Sequence, residues 1–225
     1  MVEALPYPTV VIIFEECDGS RSAEIHGPRT GRLTRSLAGR GRSFGITFRP
    51  GAFAPFLEGK ELSGRRGVAA ITDRRIPVDD LFGKAGVAWA AAVHAEADSA
   101  AQIARATEFL APLLVPLPAA AARVRDLVEQ MANDHSLMRV DDLCRASGLD
   151  LRTLQRGFRQ RVGLSAKWVL QRFRLHEAVE RLKAPDRPTL AALAAALDYA
   201  DQSHFSRDFK QVVGITPRQF IDREA

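Results

Sequence analysis

The chain has 225 residues, 46% of them hydrophobic, enough for one large domain or two small ones with an ordinary core. Its longest apolar run, TVVIIF from Thr9, is far too short to cross a bilayer, and no basic segment follows Met1 to start a secretory leader. The net charge is +5; Cys17 and Cys144 stand in different halves without metal-ligand spacing, so neither a disulfide nor a metal centre is expected and a soluble, reduced, cytoplasmic setting is.

The first 85 residues are rich in β-branched residues, glycine and arginine. TVVIIF reads as a buried strand, and SFGITFRPG reads as another, stopped at Pro50-Gly51. CDGSRS, HGPRTG and LAGRGR between them read as turns and loops. From Ala52 the pattern shifts to short helices at APFLEG and DDLFG, then to one long Ala-rich helix from about Gly86 to Leu114. APLLVPLPAA, with Pro112, Pro116 and Pro118, cannot continue that helix and marks the domain boundary.

After Pro118 every segment reads as helix. AAAARVRDLVEQMANDH places Val124, Leu127, Val128 and Met131 on one face. VDDLCRASG ends on Gly148, a C-cap signal, and Asp150 can cap the next helix, whose inward stripe is Leu154, Phe158 and Val162 before Gly163. A long helix over about 165–184 stops at APDRP. Then come TLAALAAAL, a turn around Asp198–Ala200, a helix from Asp201 to Val213, a stop at Gly214 and a short helix after Pro217.

This half contains a repeat. RGFRQRVGLSAK from Arg156 and RDFKQVVGITPR from Arg207 match at a fixed offset of 51 residues, with two phenylalanines, two glycines and basic residues in register. One supersecondary unit used twice accounts for it. Charge follows the repeat: residues 1–116 carry 14 basic and 13 acidic side chains, whereas 150–183 alone carry 9 and 3. A polyanionic partner, nucleic acid first, fits that excess.

Each copy is a short apolar helix, a tight turn and a helix with a polar outer face. That is the helix-turn-helix order, in which the second helix enters the major groove. The outward positions are Arg152, Gln155, Arg156 and Arg159 in the first copy, and Gln202, Ser203, His204 and Arg207 in the second. Arg and Gln can meet base edges bidentately there. Leu154, Phe158, Phe205 and Phe209 fall opposite, as core.

The stretch DYADQSHFSRDFKQVVGITPRQF resembles the AraC/XylS family of bacterial transcription regulators over roughly residues 120–222. The resemblance implies two helix-turn-helix units joined by a long helix and reading successive major grooves of double-stranded DNA. It puts Arg152, Gln155, Arg156, Gln202, Ser203, His204 and Arg207 at base contacts, and Arg159, Lys167 and Lys210 at phosphates. The family usually has glycine in the second turn, where this chain has Asp198. The second helix is also less basic and flanked by Asp201 and Asp208, so the first is expected to supply more affinity.

The stretch from Gly45 to Gly83, through FRPGA and PVDDLFG, resembles an accessory domain found upstream of this module: a small β-rich, cupin-like sensor followed by helices. Such domains usually begin with several tens of residues of additional strand, so the expectation is an incomplete barrel or a natural start further upstream. The fold class expected is α+β, with a β-rich domain over 1–116 and an all-α double helix-turn-helix domain over 117–225. A small-molecule effector, a second copy of the chain and RNA polymerase are candidate partners; no cofactor and no membrane are expected.

Two other readings need features this sequence lacks. A cupin-type metalloenzyme needs a His-x-His cluster with a following Glu, and a DNA-repair methyltransferase needs a nucleophilic Cys in an electropositive setting. Cys17 stands instead beside Glu15, Glu16 and Asp18, and Cys144 on the apolar face of a helix. A non-specific architectural binder would not need Gln and Arg on two separate outer faces. His26 is expected as a loop residue and His94 as a surface or interface residue.

Overall fold

The computed structural model describes residues 2–4, 7–31, 33–35, 39–62 and 64–224. Its strands are β1 (Val2–Ala4), β2 (Val11–Cys17), β3 (Ser20–His26), β4 (Leu33–Arg35), β5 (Gly41–Thr47), β6 (Glu61–Leu62), β7 (Arg65–Arg66) and β8 (Arg75–Pro77). The central sheet is open and antiparallel, in the order β5-β2-β3-β8, with β1–β4 and β6–β7 as separate pairs. Asp18 and Gly19, at φ 47° and 82°, make the two-residue β2–β3 turn, which needs positive φ at both places. That register puts Ile12 opposite Ile25.

β3 takes in the end of CDGSRS and the first residue of HGPRTG, which were expected as turns and loops. It was hidden because one residue of it, Ile25, is buried. Of LAGRGR, Arg42 lies within β5, while Leu37 and Ala38 lie outside the described residues.

The expected long helix is divided between α1 (Val78–Ala95), which is itself kinked at Gly83 (φ 60°) where the expected short helix DDLFG ends, and α2 (Ser99–Leu110). Asp98 breaks the run by capping α2, its side chain accepting from the amide of Ala101 at 2.9 Å. Both helices cover the sheet: Phe14 meets Trp89 edge-on at 5.0 Å, and Trp89 stacks on Phe109 at 4.4 Å. His94 is 6% exposed, its Nε2 3.1 Å from the carbonyl of Ser22 and its ring against Phe14. The surface expectation for it therefore fails, because α1 lays that face on the sheet. His26 ends β3 instead of standing in a loop, 2.9 Å from Glu24, and burial holds its imidazole below the ordinary value.

The second half is helical: α3 (Ala119–Asn133), α4 (Val140–Ser147), α5 (Leu151–Gly157), α6 (Ala166–Lys183), α7 (Leu190–Ala196), α8 (Gln202–Val213) and α9 (Pro217–Glu224). Val124, Leu127, Val128 and Met131 of α3 are buried as the periodicity requires. They pack with Leu143, Leu154, Phe158 and Val162 in one core, while Leu193, Leu197, Phe205 and Phe209 fill another. α6 belongs to both: Val169 and Leu170 enter the former, Leu175 and Leu182 the latter. One continuous helix thus carries both helical units.

Candidate nucleic-acid interface

In the first unit, α4 stops at Gly148, whose φ of 65° is the left-handed conformation a C-cap needs. Asp150 then caps α5, accepting from the amide and the hydroxyl of Thr153 at 2.9 and 2.7 Å. With Leu154 and Phe158 fully buried, the opposite face is fixed outward: Arg152, Gln155, Arg156 and Arg159 are all exposed. After Gly157 the helix widens, and Phe158–Val162 is π-helical, with the Gly163 amide bonded to the Phe158 carbonyl at 2.9 Å.

The second unit repeats the plan with a regular ending. Asp201 caps α8, accepting from the amide of His204 at 2.7 Å. Those backbone amides hold the Asp201 carboxyl below the usual range, as the amide and hydroxyl of Thr153 do for Asp150. Phe205 and Phe209 are buried, and Gln202, Ser203, His204 and Arg207 are exposed. At the end of α8 the Gly214 amide reaches Lys210, four residues back, at 2.8 Å. The remaining cations read from the sequence, Lys167 at the start of α6 and Lys210 late in α8, are also exposed.

Asp198 stands where glycine was the expected residue, and it takes the glycine-like conformation, φ 56°. Its carboxylate receives Nε and Nη2 of Arg139, both at 3.1 Å, from the N-terminal edge of α4 in the other unit. The Arg139 guanidinium holds the Asp198 carboxyl low. Arg174 of α6 joins the same junction, donating to the carbonyls of Met138 and Leu197. Gln171, also on α6, donates to Asp208 of α8 at 2.5 Å. Arg139, Gln171 and Arg174 therefore fix the angle between the units. Sequence reading missed all three, because their partners lie 23 to 59 residues away and no local pattern encodes such pairs.

The N-terminal half sits against the first unit. Thr72 Oγ1 donates to the Gly163 carbonyl at 2.9 Å, at the end of the widened turn. A Cβ at Gly163 would lie 2.6 Å from Thr72 Oγ1 and 2.9 Å from Val68 Cγ1. Arg49, near the end of the SFGITFRPG stretch, pairs with Glu129 of α3 at 3.1 Å. Arg172 of α6 is 5% exposed, donates to the Thr30 carbonyl at 3.2 Å and lies over the Trp168 ring at 4.2 Å. Burial pulls its guanidinium down to about 10, still charged at neutral pH.

Among the described residues no group of three or more His, Cys, Asp or Glu could hold a metal ion, and no helix is long and apolar enough to cross a membrane. Cys144 packs against the core of the first unit, and burial pushes its thiol up. Cys17 is exposed.

Residues 143–223 match the family described as a helix-turn-helix domain, and residues 2–74 match a domain of unknown function, DUF6597. Over 70 residues the chain is 36% identical to the HTH-type transcriptional activator RhaS of Pectobacterium carotovorum, covering 31% of this chain and 25% of that protein. Over 127 residues it is 28% identical to the activator RhaR of the same organism, covering 49% and 44%. The chain thus spans less than half the length of these curated relatives. Among solved structures, apo ToxT K231A from Vibrio cholerae aligns over 99% of this chain and 92% of its own, at 11% identity and a TM-score of 0.41.

Proposed function

We propose that this chain, whose residues 143–223 are a helix-turn-helix domain of the AraC/XylS type, is a sequence-specific DNA-binding regulator of transcription that reads with two helices. The observation that carries this reading is the pair of exposed polar faces, on α5 and α8, held by one helix that contributes to both cores beneath them. α6 has 18 residues, which makes it about 27 Å long, comparable to the ~34 Å between major grooves on one side of a duplex.

Arg152, Gln155 and Arg156 are then the base readers of α5, and Gln202, Ser203, His204 and Arg207 those of α8. Arg159, Lys167 and Lys210 meet phosphates, which position without specifying. Residues 117–225 act as the reading domain and 1–116 as the controlling one, through a small effector or a second copy of the chain. Control has a physical route, since Thr72 and Val68 touch the end of the first reader helix. The relatives are named activators, which favours that sign of regulation and RNA polymerase as the downstream partner. The protein acts in the cytoplasm, needs no cofactor and is not an enzyme in this reading.

Selection from random duplexes with the purified chain, at a stated salt concentration, tests it. Two short preferred boxes about one helical turn apart are expected. Salt-dependent binding without any enriched sequence would contradict base reading and favour an architectural role.

A further inference from the structure

The β6–β7 hairpin of the N-terminal half stands beside the first reader helix. Gly67, the residue after β7, approaches the turn Phe158–Val162 so closely that a Cβ there would lie 2.3 Å from the Gln160 carbonyl oxygen. Gln160 in turn follows Arg156 by four residues, one turn along the helix, and both are exposed. Arg66, Gly67, Gln160 and Arg161 line a single cleft of about 190 Å³. The hairpin is therefore a neighbour of the outward face itself.

The β6 side of the hairpin is anchored, and β7, paired to it with Arg65 opposite Leu62 and Arg66 opposite Glu61, is open. Leu62 packs against the core of the N-terminal half, and Lys60 Nζ donates to the Leu81 carbonyl at 2.5 Å and lies 5.9 Å from the Phe82 ring centroid. Arg65 and Arg66 are both exposed. The Arg66 side chain is 80% exposed and its pairing with Glu61, itself 55% exposed, is a loose 3.5 Å. Such a pair contributes little and leaves the guanidinium available.

We infer that Arg65 and Arg66 extend the DNA-binding surface of the first unit, contacting the phosphate backbone that flanks the groove entered by α5. The inference rests on the proposed reading that α5 enters a groove. It adds that the N-terminal half touches the nucleic acid directly, through charge and without reading sequence. Chemistry favours DNA over a small anion: the acidic residue Glu58 also lines the cleft, whereas the exposed cations Arg152, Arg156, Arg159, Arg65 and Arg66 are spread over a surface, as phosphates along a strand are.

Binding isotherms on a selected duplex and a scrambled one, between about 50 and 200 mM salt, test it with wild type, R65S/R66S and R65K/R66K. The serine variant is expected to bind both duplexes on the order of ten-fold more weakly at the low-salt end. Its dependence of log affinity on log salt should be shallower by about 1 to 2, with the preference between duplexes unchanged. The lysine variant, which keeps the charge, should restore both quantities. Unchanged affinity and slope in the serine variant, a loss that lysine does not restore, or tighter binding by the serine variant would each overturn the inference. If wild type itself fails to distinguish the two duplexes, the reading beneath it falls as well; if wild type distinguishes them and the serine variant matches it, this inference alone falls.

Discussion

The two helices proposed to read DNA are written in nearly the same residues and end differently. Phe158, Gln160, Val162 and Gly163 of the first correspond to Phe209, Gln211, Val213 and Gly214 of the second. The first closes on a hydrogen bond from the Gly163 amide to the Phe158 carbonyl, five residues back, and the second on one from the Gly214 amide to the Lys210 carbonyl, four residues back. The widened turn is the one that packs against Gly67, Val68 and Thr72. The second copy is tied elsewhere, at its front, by Arg139 on Asp198 and Gln171 on Asp208. A shared motif thus specifies inward stripe, caps and stops, while tertiary contacts choose the last turn. The same contacts set the N-terminal half against the end of the first of these helices.

The sharpest way to break this contrast is a pair of matched substitutions. Gly163→Ala meets Thr72 and Val68 at under 3 Å as well as a φ of +84°, and should destabilise the fold by about 2–4 kcal/mol. Gly214→Ala, at φ +90°, should cost about 1–2 kcal/mol. Urea unfolding of both variants measures the gap; equal losses would mean that the N-terminal half does not grip the first unit.

On DNA, Arg156→Ala should weaken the selected site by about 1–3 kcal/mol and relax preference at one base pair. Arg207→Ala should lose less, because Asp201 and Asp208 flank that helix. Titration on the selected site ranks them, and the reverse order would move the dominant reader to α8.

A smaller effect isolates the contact between halves. Thr72→Val removes the hydrogen bond to the Gly163 carbonyl and should lower unfolding free energy by about 1 kcal/mol. Arg139→Ala should change stability by less than about 1 kcal/mol, since the pair with Asp198 is solvent-exposed. Its effect should show in selection instead, as a wider range of tolerated spacing between the boxes.

The smallest effect is in acid. The carboxyls of Asp150 and Asp201 lie below their unfolded value in the folded chain, so their stabilisation is present above about pH 4 and is lost as pH falls through the folded values. Melting temperature should therefore drop on going below about pH 4. Asp201→Asn, which keeps a cap without a titrating group, should make that drop shallower.

Much of the helical half is legible in the residues, because its cues are local. Asp150 and Asp201 are caps, Gly148, Gly163 and Gly214 are left-handed stops, and phenylalanines at fixed spacing face inward. The N-terminal half is less legible. β3 presents one buried residue and so lacks a strand's alternation. The Ala-rich periodicity runs unbroken past Asp98, although a capping Asp followed by Ser was there to be read. His94 shows that burial within a helix depends on what the helix lies against. The outward residues named from the repeat all occupy exposed positions, whereas Arg139, Gln171 and Arg174 became visible only once the units were packed together.

Hydroxyl-radical footprinting of the chain on its selected duplex tests the central claim most directly, that two helices on one spine read successive grooves from one side. Two protected patches about one helical turn apart on one face of the duplex are expected, with Arg156→Ala weakening one patch and Arg207→Ala the other. A single patch, or protection that runs evenly around the duplex, would contradict it.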